Sequence, residues 1–290
     1  MTVYSLDLAD KQELTFLAEL IADVRTAVPD GRFLLVGAMA RDLLLYHAHG
    51  IRATRATSDV DLALAVADWA EFGALRSALL SSGAFSPHPK VAHKVFHRGR
   101  QEIDLIPFGG VERDDGTIVW PPEDDFVMGV LGFREALASS NDILLPHGQR
   151  VAAVALPMLA VLKVFAWSER RAREPRKDAP DLLFILRKYL DAGHGDRLYN
   201  EAPQLFDASD FDYERAGGWL AGHDAAELIR RHSPDPGRIE ERLQSILTPE
   251  IDPGGPLRLI GEVVDMDMIA ERALKLLAAF LAGFNAEQRP

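Results

Sequence analysis

One short segment, Asp59 to Val66, constrains the fold of this chain more than any other. Its apolar residues alternate with a second series that begins with two aspartates, Asp59 and Asp61. Because successive side chains of a β-strand point to opposite faces, the alternation predicts a strand whose two carboxylates share one face. Like charges at this spacing repel each other unless a cation lies between them. The segment therefore indicates either a cation site on a sheet or a solvated edge strand.

A strand, a glycine turn and a helix are predicted just before this acidic strand. Phe33 to Val36 is a short apolar run that follows the breaker Pro29-Asp30-Gly31, and Gly37 leads into a helical stretch rich in leucine. Glycine has no Cβ, so a backbone there can approach a ligand closely, and the free N–H groups of a first helical turn favour phosphate. The same pattern also occurs in turns that are purely structural.

Asp104 offers a third carboxylate. Residues 95–97 and 102–106 predict a hairpin with a turn at Arg98-Gly99, and Asp104 lies on the outer face of its second strand. If this strand is a neighbour of the Asp59–Val66 strand, Asp104 completes a cluster with Asp59 and Asp61. Hard oxygen ligands of this kind suit Mg²⁺ or Mn²⁺, and three carboxylates are enough for a site with two ions.

The other predicted elements define an α+β fold, in which a mixed sheet flanked by helices precedes a helical C-terminal region. Residues 114–125 are acidic and interrupted by proline, which predicts a surface loop. We expect a catalytic domain over residues 1–155 and a mainly helical domain over residues 156–290. The remaining elements are helices over 11–27, 69–82, 157–171, 180–190 and 266–284, and a hairpin over 143–154.

A basic segment lies at the start of the predicted helical domain. Residues 163–177 hold six basic and two acidic residues, a local excess of four positive charges. Lys163 and Arg170 are seven positions apart, so both project from one face of a helix. The segment indicates either a site for a polyanion or a solvated charged face.

Composition excludes several other classes of function. The chain has 290 residues and a formal net charge of −12, which argues against a protein that coats nucleic acid with a whole face. The absence of cysteine excludes disulfides, thiolate metal sites and cysteine nucleophiles. No basic leader and no long apolar run are present, so we expect a cytoplasmic protein that makes no membrane contact.

Two blocks of this sequence resemble known nucleotidyltransferases. Leu34-Leu35-Val36-Gly37-Ala38 followed by Ser58-Asp59-Val60-Asp61-Leu62 resembles the signature of the DNA polymerase β-type nucleotidyltransferase superfamily. Lys163, with Ala166-Trp167 and Arg170 after it and Lys177-Asp178 before Asp181-Leu182, is similar to the second block of the abortive-infection AbiEii-type toxin nucleotidyltransferases. One departure is Ala38, because the superfamily usually has glycine or serine there, and a serine contact to phosphate is therefore absent.

The resemblance implies a role for each matching residue. It implies that Asp59, Asp61 and Asp104 bind two Mg²⁺ or Mn²⁺ ions and are catalytic together with Lys163. The Ala40-Arg41-Asp42 segment also resembles the Val-Arg-Asp segment of the poly(A) polymerase and CCA-adding branch. The residues that we expect to bind the nucleoside triphosphate are Gly37, Ala38, Arg41, Ser58, Lys163, Arg170, Lys177, Asp178 and Asp181.

The function that follows is transfer of a nucleoside monophosphate from a nucleoside triphosphate to an acceptor hydroxyl. We expect the acceptor to be RNA, such as tRNA, and the resemblance leaves room for an antitoxin protein as a partner. The first alternative is a nucleotidyltransferase that modifies an antibiotic, since an acidic protein suits a cationic acceptor. The second alternative is a nucleotide-binding module without catalytic activity, which the three aspartates argue against.

Overall fold

The computed structural model describes residues 5–53, 59–121, 127–205, 211–264 and 269–286. The chain divides into two compact units. Thr2–Ala48 with Arg52–Ala155 form the first, which we call the sheet unit, and His49–Ile51 with Leu156–Pro290 form the second, the helical unit.

The sheet unit is built on a mixed sheet, which confirms the predicted fold class. Among the residues described, eight strands form this sheet in the order β1-β9-β10-β2-β3-β6-β5-β4, and β7 pairs with β8 in a separate ribbon. Strands β3 and β6 run parallel, whereas β2 is antiparallel to β3 and β5 is antiparallel to β6. The strands are β1 (Ser5–Asp7), β2 (Arg32–Val36), β3 (Val60–Val66), β4 (Phe85–Pro87), β5 (Lys94–His97), β6 (Gln101–Gly109), β7 (Thr117–Val119), β8 (Val127–Gly129), β9 (Asn141–Leu144) and β10 (Arg150–Ala153).

The helices of the sheet unit are α1 (Thr15–Ala27), α2 (Gly37–Asp42), α3 (Trp69–Ser81) and α4 (Phe133–Ala138). Helix α1 buries Leu17, Leu20, Ile21 and Val24, which recur at helical spacing along one face as predicted. Helix α2 begins directly at the end of β2 and continues into a π-helical turn over Leu43–His47. Asp68 caps α3, because its carboxylate accepts a hydrogen bond from the backbone N–H of Glu71.

The helical unit packs long helices against each other. Helices α8 and α11 come so close that a Cβ on Gly222 would lie 2.0 Å from the carbonyl oxygen of Phe280. In the part of the chain that the structure describes, no helix has both the length and the apolar character of a membrane span. The helices are α5 (Leu156–Arg170), α6 (Asp178–Lys188), α7 (Arg197–Glu201), α8 (Tyr213–His232), α9 (Pro236–Ile251), α10 (Arg258–Gly261) and α11 (Ala270–Phe284).

Two local predictions were wrong in detail. The loop predicted over 114–125 contains β7, because Ile118 and Val119 are buried and pair with β8. Helix α6 begins at Asp178 rather than at Pro180, and it has the acidic first turn that a helix dipole favours. The helix predicted over 266–284 is α11, which begins at Ala270, and its predicted start at Met266 lies outside the described residues.

Candidate active site

The acidic strand β3 lies in the middle of the sheet, between β2 and β6. Asp61 pairs with Val36 of β2 on one side and with Asp104 of β6 on the other. Residues paired across neighbouring strands point to the same face of a sheet, and neighbouring strands are only about 4.8 Å apart. The carboxylates of Asp61 and Asp104 are therefore neighbours on one face. Asp59 lies one residue before β3 and is exposed.

Gly37 lies directly against Asp61. It follows Val36, the residue paired with Asp61, and has a positive φ of 69°. A Cβ built on Gly37 would lie 1.9 Å from Oδ2 of Asp61. In the structure the Asp61 carboxylate occupies this space, and the approach of a phosphate to Gly37 stays a prediction. The glycine turn and the acidic strand are thus one structural feature.

Gly37→Ala should therefore reduce any activity that depends on the Asp61 carboxylate, because the added Cβ would displace that carboxylate. The left-handed backbone adds a cost of about 1–2 kcal/mol for any residue with a Cβ. Gly83→Ala is the matched control, because Gly83 has a φ of 80° but a Cβ added there would meet no heavy atom of the described residues within 4 Å. We expect both variants to lose similar stability in urea unfolding, and only Gly37→Ala to lose activity. Full activity in Gly37→Ala would contradict the proposed geometry.

Two further charged residues flank Asp104, and sequence reasoning assigned neither of them a role. Lys94 of β5 pairs with Asp104 across the hairpin, and its Nζ lies 3.0 Å from Oδ1 of Asp104. The same ammonium donates a hydrogen bond to Glu102, which is two residues before Asp104 on the same strand face. A signal was present, because a hairpin centred on Gly99 places residue 94 opposite residue 104.

These contacts shift the pKa values of Lys94 and Glu102 in opposite directions. Burial opposes the charge of Lys94, but its contacts with Glu102 and Asp104 outweigh burial and raise its pKa. The hydrogen bond from Lys94 lowers the pKa of Glu102. Burial lowers the pKa of His93, which precedes Lys94 and lies beside Trp120 with ring centroids 4.8 Å apart. Lys94 and Glu102 therefore carry opposite charges at neutral pH.

The residues of this site fit divalent metal ions. Carboxylate oxygens are the ligands that Mg²⁺ and Mn²⁺ prefer. The Oδ1 atom of Asp104 is buried, and the Lys94 ammonium lies 3.0 Å from it. A cationic group already lies beside this carboxylate, which indicates a position that a metal cation can also occupy. Asp59, Asp61 and Asp104 would hold such ions.

The helical unit contains a second charged site, centred on Lys163. The Nζ atom of Lys163 lies 2.7 Å from Oδ2 of Asp181 and 3.1 Å from Oδ1 of Asp178. Arg170, about two helical turns further along α5, donates two hydrogen bonds to Asp178, at 2.6 and 2.7 Å. The side chains of Lys163 and Asp178 are 7% and 1% exposed. The predicted common face of Lys163 and Arg170 is thus the face that binds α6.

This network balances two positive and two negative charges inside the helical unit. Burial opposes the charge of Lys163, but the carboxylates of Asp181 and Asp178 outweigh burial and raise its pKa. Burial likewise opposes ionisation of Asp178, but the hydrogen bond from Arg170 and the charge of Lys163 outweigh it and lower the pKa of that carboxyl. Lys163 and Asp178 therefore stay charged at neutral pH. Lys163 therefore balances the charge of these carboxylates inside the helical unit, and its contact with a triphosphate stays a prediction.

The basic segment is less uniform than its sequence indicates. Lys163 and Arg170 belong to the buried network, and Lys177 forms an ion pair with Glu174. Arg171 lies over the ring of Trp167, with Cζ 5.3 Å from the ring centroid. Arg173 and Arg176 are exposed. The basic side chains outside the buried network are therefore those at and beyond the end of α5, and a polyanion site there stays a prediction.

The other predicted nucleotide-binding residues have different environments. Ala38 follows Gly37 and is half-buried. Arg41 is only 2% exposed, and its guanidinium binds Asp42 at 2.6 Å. Ser58 lies outside the described residues. The assignment of these three residues to nucleotide binding stays a prediction.

A further cluster, His223, Asp224 and Glu227, has ligand atoms within 4.8 Å of one another in the helical unit. Asp224 already binds Arg197 through two hydrogen bonds, at 2.6 and 2.7 Å, and accepts another from Tyr189. Burial opposes ionisation of Asp224, but the hydrogen bond from Arg197 outweighs it and lowers the pKa to about 2. The Arg197 guanidinium thus already neutralises this carboxylate.

Most of the chain matches the model of a known protein family. That family is described as nucleotidyl transferase AbiEii toxin, type IV TA system, and the match spans residues 20–253. A search of curated proteins gives no match. A similar solved structure is the solution structure of the antibiotic-resistance factor ANT(2'')-Ia, with 13% identity and a TM-score of 0.35. That similarity covers 64% of this chain and 95% of the other.

Proposed function

This chain belongs to the AbiEii nucleotidyltransferase toxin family of type IV toxin–antitoxin systems, and on that premise we propose that it transfers a nucleoside monophosphate to an RNA acceptor in a metal-dependent reaction. The observation that carries the proposal is the pairing of Asp61 with Asp104 on adjacent strands, with Gly37 directly against Asp61. With an RNA acceptor such as tRNA, the reaction takes place in the cytoplasm. The further partner in this proposal is the antitoxin of the type IV system.

In this reaction the acceptor hydroxyl oxygen forms a bond with the α-phosphorus of the triphosphate. The bond from that phosphorus to the bridging α–β oxygen breaks, and pyrophosphate leaves. Asp104 is the group that we propose to receive the hydroxyl proton or to relay it to water. Asp61, held between β2 and β6, orients the reacting groups. Divalent ions held by Asp59, Asp61 and Asp104 would neutralise the triphosphate and acidify the acceptor hydroxyl.

A labelling experiment tests the reaction and the acceptor together. The protein is incubated with total tRNA, magnesium and each of the four nucleoside triphosphates in turn, labelled at the α-phosphate. We expect label in tRNA, from one preferred triphosphate, and none when the metal is chelated. Label in a small cationic acceptor instead would favour the antibiotic-modifying alternative. Absence of transfer to any acceptor would favour the nucleotide-binding module.

The arginines at the end of α5 give a prediction about RNA binding. Reversing Arg171 and Arg173 to glutamate should raise the KM for RNA about tenfold and leave the KM for the triphosphate unchanged, because only the acceptor backbone would contact them. Binding of single-stranded RNA should weaken with salt, with a log–log slope of about −0.7 per phosphate contact. The measurement is steady-state kinetics at several salt concentrations.

Arg242 and Arg272 provide the matched control, because both are exposed arginines of the helical unit outside the basic segment. Their double reversal to glutamate changes the net charge by the same amount, so we expect the KM for RNA to stay near that of the parent. Equal effects of the two double variants would show that the basic segment affects RNA binding only through the net charge of the protein. A flat salt response would contradict an RNA acceptor.

A further inference from the structure

Asp104 has a positively charged neighbour on the adjacent strand, Lys94. Lys94 bridges two carboxylates, since its Nζ lies 3.0 Å from Asp104 and also donates a hydrogen bond to Glu102. One ammonium therefore occupies the side of Asp104 that faces β5. The ion pair joins residues that the hairpin register places directly opposite each other.

Glu102 gives this ammonium a second place to bind. Glu102 and Asp104 are two residues apart on β6, so both point to the face of the sheet that carries the aspartates. The side chains of Lys94 and Glu102 are 25% and 30% exposed, which leaves a flexible lysine side chain room to move. Lys94 can leave Asp104 and still keep a carboxylate partner.

We propose that Lys94 is a built-in counter-ion that competes with divalent metal for Asp104, and that Glu102 is the acceptor that retains Lys94 when metal binds. The inference rests on the proposed function, because it concerns the metal-binding aspartates. Without metal, the ammonium neutralises Asp104 and limits repulsion between Asp104 and Asp61. When a metal ion takes Asp104, the ammonium stays on Glu102. Lys94 is thus a positioning residue that sets the metal affinity of the site.

Mn²⁺ binding to the full chain without nucleotide, measured by calorimetry or electron paramagnetic resonance, tests the proposal without reference to activity. Lys94→Met should bind Mn²⁺ about tenfold more tightly than the parent, because a competing positive charge is gone. Glu102→Gln should bind it more weakly, because Lys94 then has only Asp104. Lys90→Met is the matched control, since Lys90 is an exposed lysine four residues away. Its Mn²⁺ affinity should be unchanged.

The double variant Lys94→Met/Glu102→Gln distinguishes competition between Lys94 and the metal ion from independent effects of the two charges. If Glu102 acts through Lys94, the double variant binds Mn²⁺ as tightly as Lys94→Met alone. If each charge acts independently, the two effects cancel and the double variant resembles the parent, which would overturn the proposal. An unchanged affinity in Lys94→Met would also overturn it. An absence of Mn²⁺ binding in both the parent and Lys94→Met would overturn the metal-dependent function as well, so the two failures are distinguishable.

Discussion

Asp61→Asn and Asp104→Asn are each expected to reduce nucleotidyl transfer by about 10³-fold or more while the protein remains folded. Asparagine keeps the shape of the side chain but removes the charge that a metal ion or a proton needs. The fold should persist because Asp61→Asn relieves repulsion among neighbouring carboxylates, and in Asp104→Asn the Lys94 ammonium keeps its hydrogen bond to Glu102. The measurements are transfer of α-labelled nucleotide and the Tm.

Asp142→Asn is the control for this substitution. Asp142 belongs to the same sheet, on β9, and forms an exposed ion pair with Arg150. The substitution makes the same chemical change at a site away from β3 and β6. We expect normal activity from this variant. Parent-like activity of Asp61→Asn in magnesium would contradict the role of these aspartates in the mechanism.

Lys163→Met is expected to lower the free energy of unfolding by about 3–5 kcal/mol. The substitution leaves the carboxylates of Asp178 and Asp181 without the ammonium that lies within 3.1 Å of both. Removing one partner of a buried ion pair is costly because the remaining charge stays out of water. Lys188→Met is the control, because its ion pair with Asp191 is exposed and should contribute less than about 1 kcal/mol. Urea unfolding provides the measurement.

A second variant separates the structural role of Lys163 from a role in catalysis. Lys163→Met/Asp181→Leu removes one charge of each sign, and Asp178 keeps its hydrogen bonds from Arg170. We expect this double variant to recover most of the stability that Lys163→Met loses, since apolar replacement of a buried pair is often neutral. If activity returns with stability, Lys163 acts as a positioning residue. Restored stability without activity would support the predicted roles of Lys163 and Asp181 toward the nucleotide.

Much of the sheet was predictable because its central strands have strong periodic signals. The alternation from Asp59 to Val66 predicted β3, and the hairpin around Gly99 predicted β5 and β6. Strand β1 was missed, because three residues carry too little pattern to separate a strand from a loop. Strand β7 was missed because the acidic and proline-rich residues around it favour a loop. Pairing stabilises both short segments, β1 with the distant β9 and β7 with the nearby β8.

The amino-acid sequence alone indicates which residues carry charge on the face of β3 and that a glycine turn precedes them, because periodicity and residue type are local properties. The folded structure was needed to show that Gly37 makes room for Asp61, that Asp104 lies beside Asp61, and that Asp178 and Asp181 neutralise Lys163. Each of these contacts joins different strands or helices. Strand order and helix packing set such distances, and they arise from the burial of the whole core rather than from any short pattern.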